Sequence, residues 1–281
     1  MDVRYRAIEN SIETRAKRNG KSKLLFFDID GTLVPNGQDE GPDPETVRGL
    51  KAAQKCGNKV ILCTGRTLCD VLKIVNSVEP DGLIAGAGAY VWAEGNVIFH
   101  SVISKEMLSR TADEIIRSKV SCLFEGTYGF YYVGQGETTM PWDFPRIERA
   151  EDITGEESIE KFTAHVSSKE EFSRLRPWLE KYYDVYDHSG TFFEMVRHGM
   201  DKSVGVEKIC RFYGAAREDT ISFGDSKNDI PMLRSTGTGV AMGGAPEELL
   251  REATYVTDTL DNHGIVKALA ALAVMDIKDS V

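Results

Sequence analysis

Residues 24–34 read LLFFDIDGTLV. Four apolar residues run straight into Asp28 and Asp30, which flank a single isoleucine. Carboxylates are costly to bury and two so close repel each other, so their place at the mouth of this run calls for a compensating charge. The run is continuously apolar rather than alternating, which suits a strand covered on both faces. KVILC (59–63), DGLIA (81–85), TISFG (220–224) and TGVAM (238–242) repeat the pattern. Helical patterns lie between them. PETVRGLKAAQKCG (44–57) opens on a proline and closes on a glycine, and RTLCDVLKIVNSV (66–78), DKSVGVEKICRFYG (201–214) and APEELLREA (245–253) follow later strands. The alternation predicts an α/β fold with a doubly wound, Rossmann-like parallel sheet.

The middle of the chain reads differently. AYVWAEGNVIFHSVI (89–103) and CLFEGTYGFYYVG (122–134) look like hairpins, with Gly95-Asn96 and Gly126-Thr127 as turn residues. KEMLSRTADEIIRS (105–118) and SKEEFSRLRPWLEKYY (168–183) look helical, and KFTAHVS, YDVYD and GTFFEMVR look like further strands. The expected organisation is a leader over 1–22, an α/β core from 23–86 and 190–281, and an inserted α+β domain over 87–189.

With 34 basic and 44 acidic residues the net charge is −10. Such acidity argues against a nucleic-acid or acidic-membrane binder, while a few local cations suffice for a small anionic substrate. No run of about eighteen apolar residues suggests a membrane span. The N-terminus lacks the apolar segment of a secretory signal, and its residues Val3, Ile8 and Ile12 fit a weak amphipathic helix. The five cysteines are odd in number and form no CxxC, as expected of reduced thiols in a cytoplasmic protein.

Ligands of open α/β sheets gather beyond the carboxyl ends of the strands. Asp28, Asp30, Gly31 and Thr32 follow the first strand, and Thr64, Gly65 and Arg66 the second. Lys202 opens a later helix, and Asp225, Asn228 and Asp229 follow TISFG. Carboxylates, a hydroxyl and an ammonium are thus expected at one edge. Mg²⁺ prefers oxygen ligands, and Asp28, Asp225 and the Asp30 carbonyl would supply them. A phosphoryl group held beside Asp28 would be open to attack by that carboxylate. Thr64 and nearby backbone N–H groups would donate hydrogen bonds to it, Lys202 would supply positive charge, and Asp30 would act as general acid and base.

The set DIDGTL, CTGR, DK and FGDSKND, in that order, resembles the four motifs of the haloacid dehalogenase superfamily. The insertion between the second and third motifs looks like a C2 cap. The tail GVAMGGAPEELLREATYVTDTLDNHGIVKAL is similar to the Cof-type, sugar-phosphatase-like subgroup with a C2B cap. The resemblance implies Asp28 as nucleophile and Mg²⁺ ligand, and Asp30 as acid/base and carbonyl ligand. It implies Thr64, Gly65, Lys202 and Asn228 around phosphate, Asp225 as the remaining metal carboxylate, and Asp229 as support for the metal shell. The implied substrate is a small phosphorylated metabolite, such as a sugar phosphate. The sequence departs from the family pattern at Gly88 and Gly244, where relatives often carry asparagine, and at Ser203, where glycine is common.

Taken singly these residues read blandly. Asp30-Gly31 is an ordinary turn signal, TGR is common after strands, and lysines are mostly solvated. Histidines 100, 165, 188, 198 and 263 show no metal-ligand spacing. The aromatic run YGFYYV reads first as strand face, with Tyr128, Tyr131 and Tyr132 as the residues in it that could meet a substrate. Two other functions use the same aspartates: a phosphomutase, which returns the phosphoryl group to sugar, and a non-enzymatic sensor that only accepts phosphate.

Overall fold

A computed structural model describes residues 22–134 and 144–276. The expected leader, apart from Ser22, lies outside the described residues. Strands β1 (Leu24–Phe27), β2 (Lys59–Cys63) and β3 (Gly82–Ala85) are joined through helices α1 (Pro44–Lys55) and α2 (Leu68–Val78). A hairpin, β4 (Tyr90–Ala93) and β5 (Asn96–His100), follows. The next part holds α3 (Lys105–Ser118), β6 (Cys122–Gly126), β7 (Phe130–Val133), β8 (Arg146–Ile147) and β9 (Ile159–His165). Helices α4 (Lys169–Ser173) and α5 (Arg176–Leu179) lead to β10 (Tyr183–Asp187) and β11 (Phe192–Arg197). The last described part holds α6 (Lys202–Tyr213), β12 (Thr220–Gly224), α7 (Ile230–Ser235), β13 (Thr238–Ala241), α8 (Glu247–Glu252), β14 (Tyr255–Val256) and α9 (Gly264–Ala271).

The first sheet runs β14-β13-β12-β1-β2-β3-β4-β5. It is parallel from β14 to β3, and the hairpin closes it antiparallel. The continuous apolar runs now have their reason. Leu25, Phe27, Val60 and Leu62 pack in one cluster with Leu50, Ile74 and Leu269. Leu24, Phe26, Ile61 and Cys63 pack on the other face with Val206, Met232 and Leu249. Both faces are roofed by helices, so neither side of a central strand is polar. The chain departs from β1 toward β2 and β3 and returns on its other flank as β12, which makes β1 the switch point of the sheet.

The second sheet runs β10-β11-β9-β6-β7-β8. Phe124, Phe162, Phe193 and Met195 cover one face under Leu108, Ile115, Phe172 and Leu179. Glu125, Lys161, Thr163 and Glu194 alternate with those residues and so point from the opposite face.

Four expectations are corrected. The hairpin of 90–100 belongs to the first sheet, not to the insertion, because β4 pairs with β3. Its tight turn is Glu94-Gly95, both at positive φ as a two-residue hairpin turn requires, rather than Gly95-Asn96. At the far boundary, β11 continues the second sheet to Arg197, past the expected limit at 189. Finally, the helix expected over 168–183 divides into α4 and α5, with Pro177 in the first turn of α5.

Candidate functional site

Strand register brings the first aspartate to its neighbours. Phe27 stands opposite Phe223 on one side and Leu62 on the other. The next residue, Asp28, donates its N–H to the Phe223 carbonyl at 3.0 Å. Asp28 therefore lies beside the ends of β2 and β12, where Thr64 and Asp225 follow. Gly31 adopts φ +76, and a Cβ there would sit 2.2 Å from Asp225 Oδ2. Only glycine lets the two loops approach so closely.

Lys202 reaches this point from the first turn of α6, whose N-cap Asp201 accepts from Ser203 N–H. Its ammonium donates to Asp28 Oδ1 at 2.5 Å and to Asp229 Oδ1 at 2.6 Å, fully out of solvent. Asp229 Oδ2 accepts from the N–H groups of Asp225 at 3.0 Å and Ser226 at 3.1 Å, tying down the loop after β12. Thr32 Oγ1 donates to Asp225 Oδ1 at 3.4 Å. Oxygens of Asp28, Asp225 and Asp229 all lie within 4.8 Å of one another.

The electrostatics follow from this crowding. Burial first, and the Asp229 charge second, raise Asp28 well above the ordinary carboxylate value despite Lys202. The same two causes push Asp225 up to about 6. Burial alone would lower Lys202, but Asp229 and Asp28 raise it. When ionised, three carboxylates face one ammonium and leave two negative charges over. A hard divalent cation matches both that excess and the all-oxygen donor set. Asp229 is already committed to Lys202 and two N–H groups, which leaves Asp28 and Asp225 as the side chains able to hold such an ion.

Asp30 behaves differently. Its carboxylate is clasped by Arg66, Nη2 to Oδ1 at 2.6 Å and Nε to Oδ2 at 2.8 Å, and it accepts Gly37 N–H at 3.0 Å. Burial pushes this carboxyl up, but the bonds from Arg66 and Gly37 outweigh it and hold Asp30 below the ordinary value. In this arrangement it is an ionised partner of Arg66, not a proton donor. Thr64 is buried, its N–H spent on Ile84 O and its Oγ1 accepting Arg66 N–H at 3.1 Å. Asn228 Oδ1 accepts from Ser226 Oγ at 2.8 Å.

A cavity of about 500 Å³ opens over Lys202 and Asn228, with Gly65 in its wall. Its roof comes from the second sheet: Tyr186, Asp187, His188, Glu194 and Val196. Tyr128, Tyr131 and Tyr132 do not line it. Tyr128 is 76 % exposed, Tyr132 is buried, and Tyr131 packs on the core of its own sheet. The roof residues carried one legible signal, a lone glutamate inside the apolar strand FFEMV.

The sequence pattern of the haloacid dehalogenase-like hydrolases matches residues 25–269. The chain belongs to this family. Its fold is shared with the solved haloacid dehalogenase subclass IIB sugar phosphatase BT4131, 30% identical, TM-score 0.76, over 90% of this chain and all of that one. The phosphatase BT1666 from Bacteroides thetaiotaomicron is 26% identical with a TM-score of 0.78, over 92% of this chain and 98% of its own. Among curated relatives, the 5-amino-6-(5-phospho-D-ribitylamino)uracil phosphatase YcsE of Bacillus subtilis is 28% identical over 88% of this chain and 94% of its own. These likenesses bear out the expected α/β fold, the superfamily and its Cof-type subgroup, and make this haloacid dehalogenase-like hydrolase an enzyme. No described helix is long and apolar enough to cross a membrane.

Proposed function

We propose that this hydrolase is a Mg²⁺-dependent phosphatase that cleaves a small phosphorylated metabolite through an aspartyl-phosphate on Asp28. The observation that carries the reading is the buried bridge from Lys202 to Asp28 and Asp229 beside Asp225. That several relatives are phosphatases by name supports it.

Asp28 attacks phosphorus with one carboxylate oxygen, and the bond from phosphorus to the leaving oxygen breaks. Asp30 gives that oxygen a proton, then takes one from the water that attacks the phospho-aspartate and frees phosphate and Asp28. For this Asp30 has to leave the Arg66 fork and gain a proton when substrate is bound. Lys202 holds Asp28 in place and offsets charge on the phosphoryl oxygens, with Thr64, Gly65 and Asn228 as further phosphate contacts. Bound Mg²⁺, held by Asp28, Asp225 and the Asp30 carbonyl with Asp229 in support, would supply charge compensation to the phosphoryl group.

The test is hydrolysis of an aryl phosphate with Mg²⁺ or with EDTA. Chelation is expected to abolish turnover. Asp28→Asn should lower kcat at least about 1000-fold with the circular-dichroism spectrum unchanged. Full activity in that variant would sink the assignment.

A further inference from the structure

The cavity has Lys202, which bonds Asp28, in its wall, and so offers space for a leaving group attached to phosphorus there. Its roof has an uneven charge. Glu194 Oε1 meets Lys161 Nζ at 2.5 Å, and the same ammonium also serves Glu125 at 3.3 Å. All three residues are buried. Glu194 Oε2 meets His188 Nε2 at 3.2 Å. Lys161 and His188 keep Glu194 ionised, down to about 2 against the pull of burial. The carboxylate also hangs close over the loop after β2, with Oε1 3.7 Å from the place of a Cβ on Gly65.

The two lysines that line the cavity among the described residues both face carboxylates. Lys202 is divided between Asp28 and Asp229, and Lys227 meets Glu248 at 2.7 Å. Asp201 adds a further carboxylate to the wall. An ionised carboxylate only accepts hydrogen bonds, so Glu194 suits hydroxyl donors. Tyr186, Val196 and Met200 supply apolar wall for the carbon side of such a group.

We infer that Glu194, oriented by His188 and Lys161, selects phosphomonoesters whose leaving group is uncharged and hydroxyl-bearing, and rejects those carrying a second anionic group. The inference rests on the phosphatase reading and deepens it by naming a selecting residue and a rejected class. A carboxylate or second phosphate on the leaving group would meet Glu194 at short range, where the one buried ammonium, Lys161, is already shared between Glu194 and Glu125, in a site where charges are poorly screened.

The experiment compares sorbitol 6-phosphate with 6-phosphogluconate, both open-chain and of similar size, which differ at C1 by a hydroxymethyl against a carboxylate. The full-length wild-type protein with Mg²⁺ should favour the former by about 100-fold or more in kcat/KM. Glu194→Gln should shrink that ratio at least about tenfold, chiefly through KM. His188→Gln, at a half-exposed position, should shrink it in the same direction and guards against a folding defect in the first variant. A wild-type ratio near one or below, or a ratio that neither variant changes, overturns the inference. Failure of the phosphatase reading looks different: no ester is hydrolysed, aryl phosphate included. Calorimetric binding of the same two compounds then decides the selectivity, tighter sorbitol 6-phosphate supporting it and equal or weaker binding overturning it.

Discussion

Lys202 is the residue on which the site depends most. It is one ammonium among carboxylates that would not otherwise be buried together. Replacing it by methionine keeps the stem but leaves Asp28 and Asp229 without their counter-charge. Removing one partner of a buried ion pair costs about 3–5 kcal/mol, and Lys202→Met should lower the urea midpoint of the metal-free protein accordingly. Asp225 allows a test by pH. Its carboxyl is raised to about 6 in the folded chain, so the folded form holds more protons than the unfolded one below that value and down to the ordinary carboxylate range. The contribution of Asp225 to the stability of the metal-free protein therefore falls as pH rises through this window. A cation bound there relieves the penalty. The gain in Tm on replacing EDTA by Mg²⁺ should be larger at about pH 7.5 than at about pH 4.5. Equal gains would place the ion elsewhere.

At the scale of elements, the position of α6 against the first sheet decides where Lys202 ends up. Gly205, one turn further along this helix, lies so close to β3 that a Cβ would sit 2.3 Å from Ile84 Cγ2. On propensity alone Gly205→Ala would stabilise the helix by about 1 kcal/mol. Overpacking against a central strand costs about 1–3 kcal/mol, so the variant should unfold at lower urea with the slope unchanged. A higher midpoint would mean that α6 shifts freely on the sheet. Helix α2 touches the second sheet in a comparable way, its Cys69 N–H donating to Thr127 O at 3.1 Å.

At the scale of the whole molecule, that contact is part of a seam between the two sheets. Glu160 on β9 is buried and accepts from Thr127 Oγ1 at 2.7 Å, while His100 on β5 meets the same oxygen at 3.1 Å. Gly86, beside it, has no room for a Cβ against Glu160 Oε2. His100→Leu leaves the buried carboxylate with one donor fewer. Loss of a partner to a buried polar group costs about 1–3 kcal/mol, and the seam should loosen first. A larger radius of gyration by small-angle scattering, with the parallel sheet intact by circular dichroism, is the expected result. An unchanged radius would mean that the remaining contacts hold the seam by themselves.

Much was legible in the chain itself. Continuous apolar runs marked the buried parallel strands, since side chains on both faces of each strand meet helices. The ends of those runs marked Asp28, Thr64 and Asp225, because parallel strands deliver their carboxyl ends to one edge. Sheet membership of the 90–100 hairpin was not legible, since an antiparallel hairpin looks alike on either sheet and only pairing with β3 assigns it. Nor was the fork from Arg66 to Asp30, or the roof of Tyr186, His188 and Glu194. Those residues are 120 or more positions away from Gly65, and their approach depends on how the second sheet rests on the first. Spacing along a chain can specify what one strand end carries; only packing decides which charges from the other sheet come to face it.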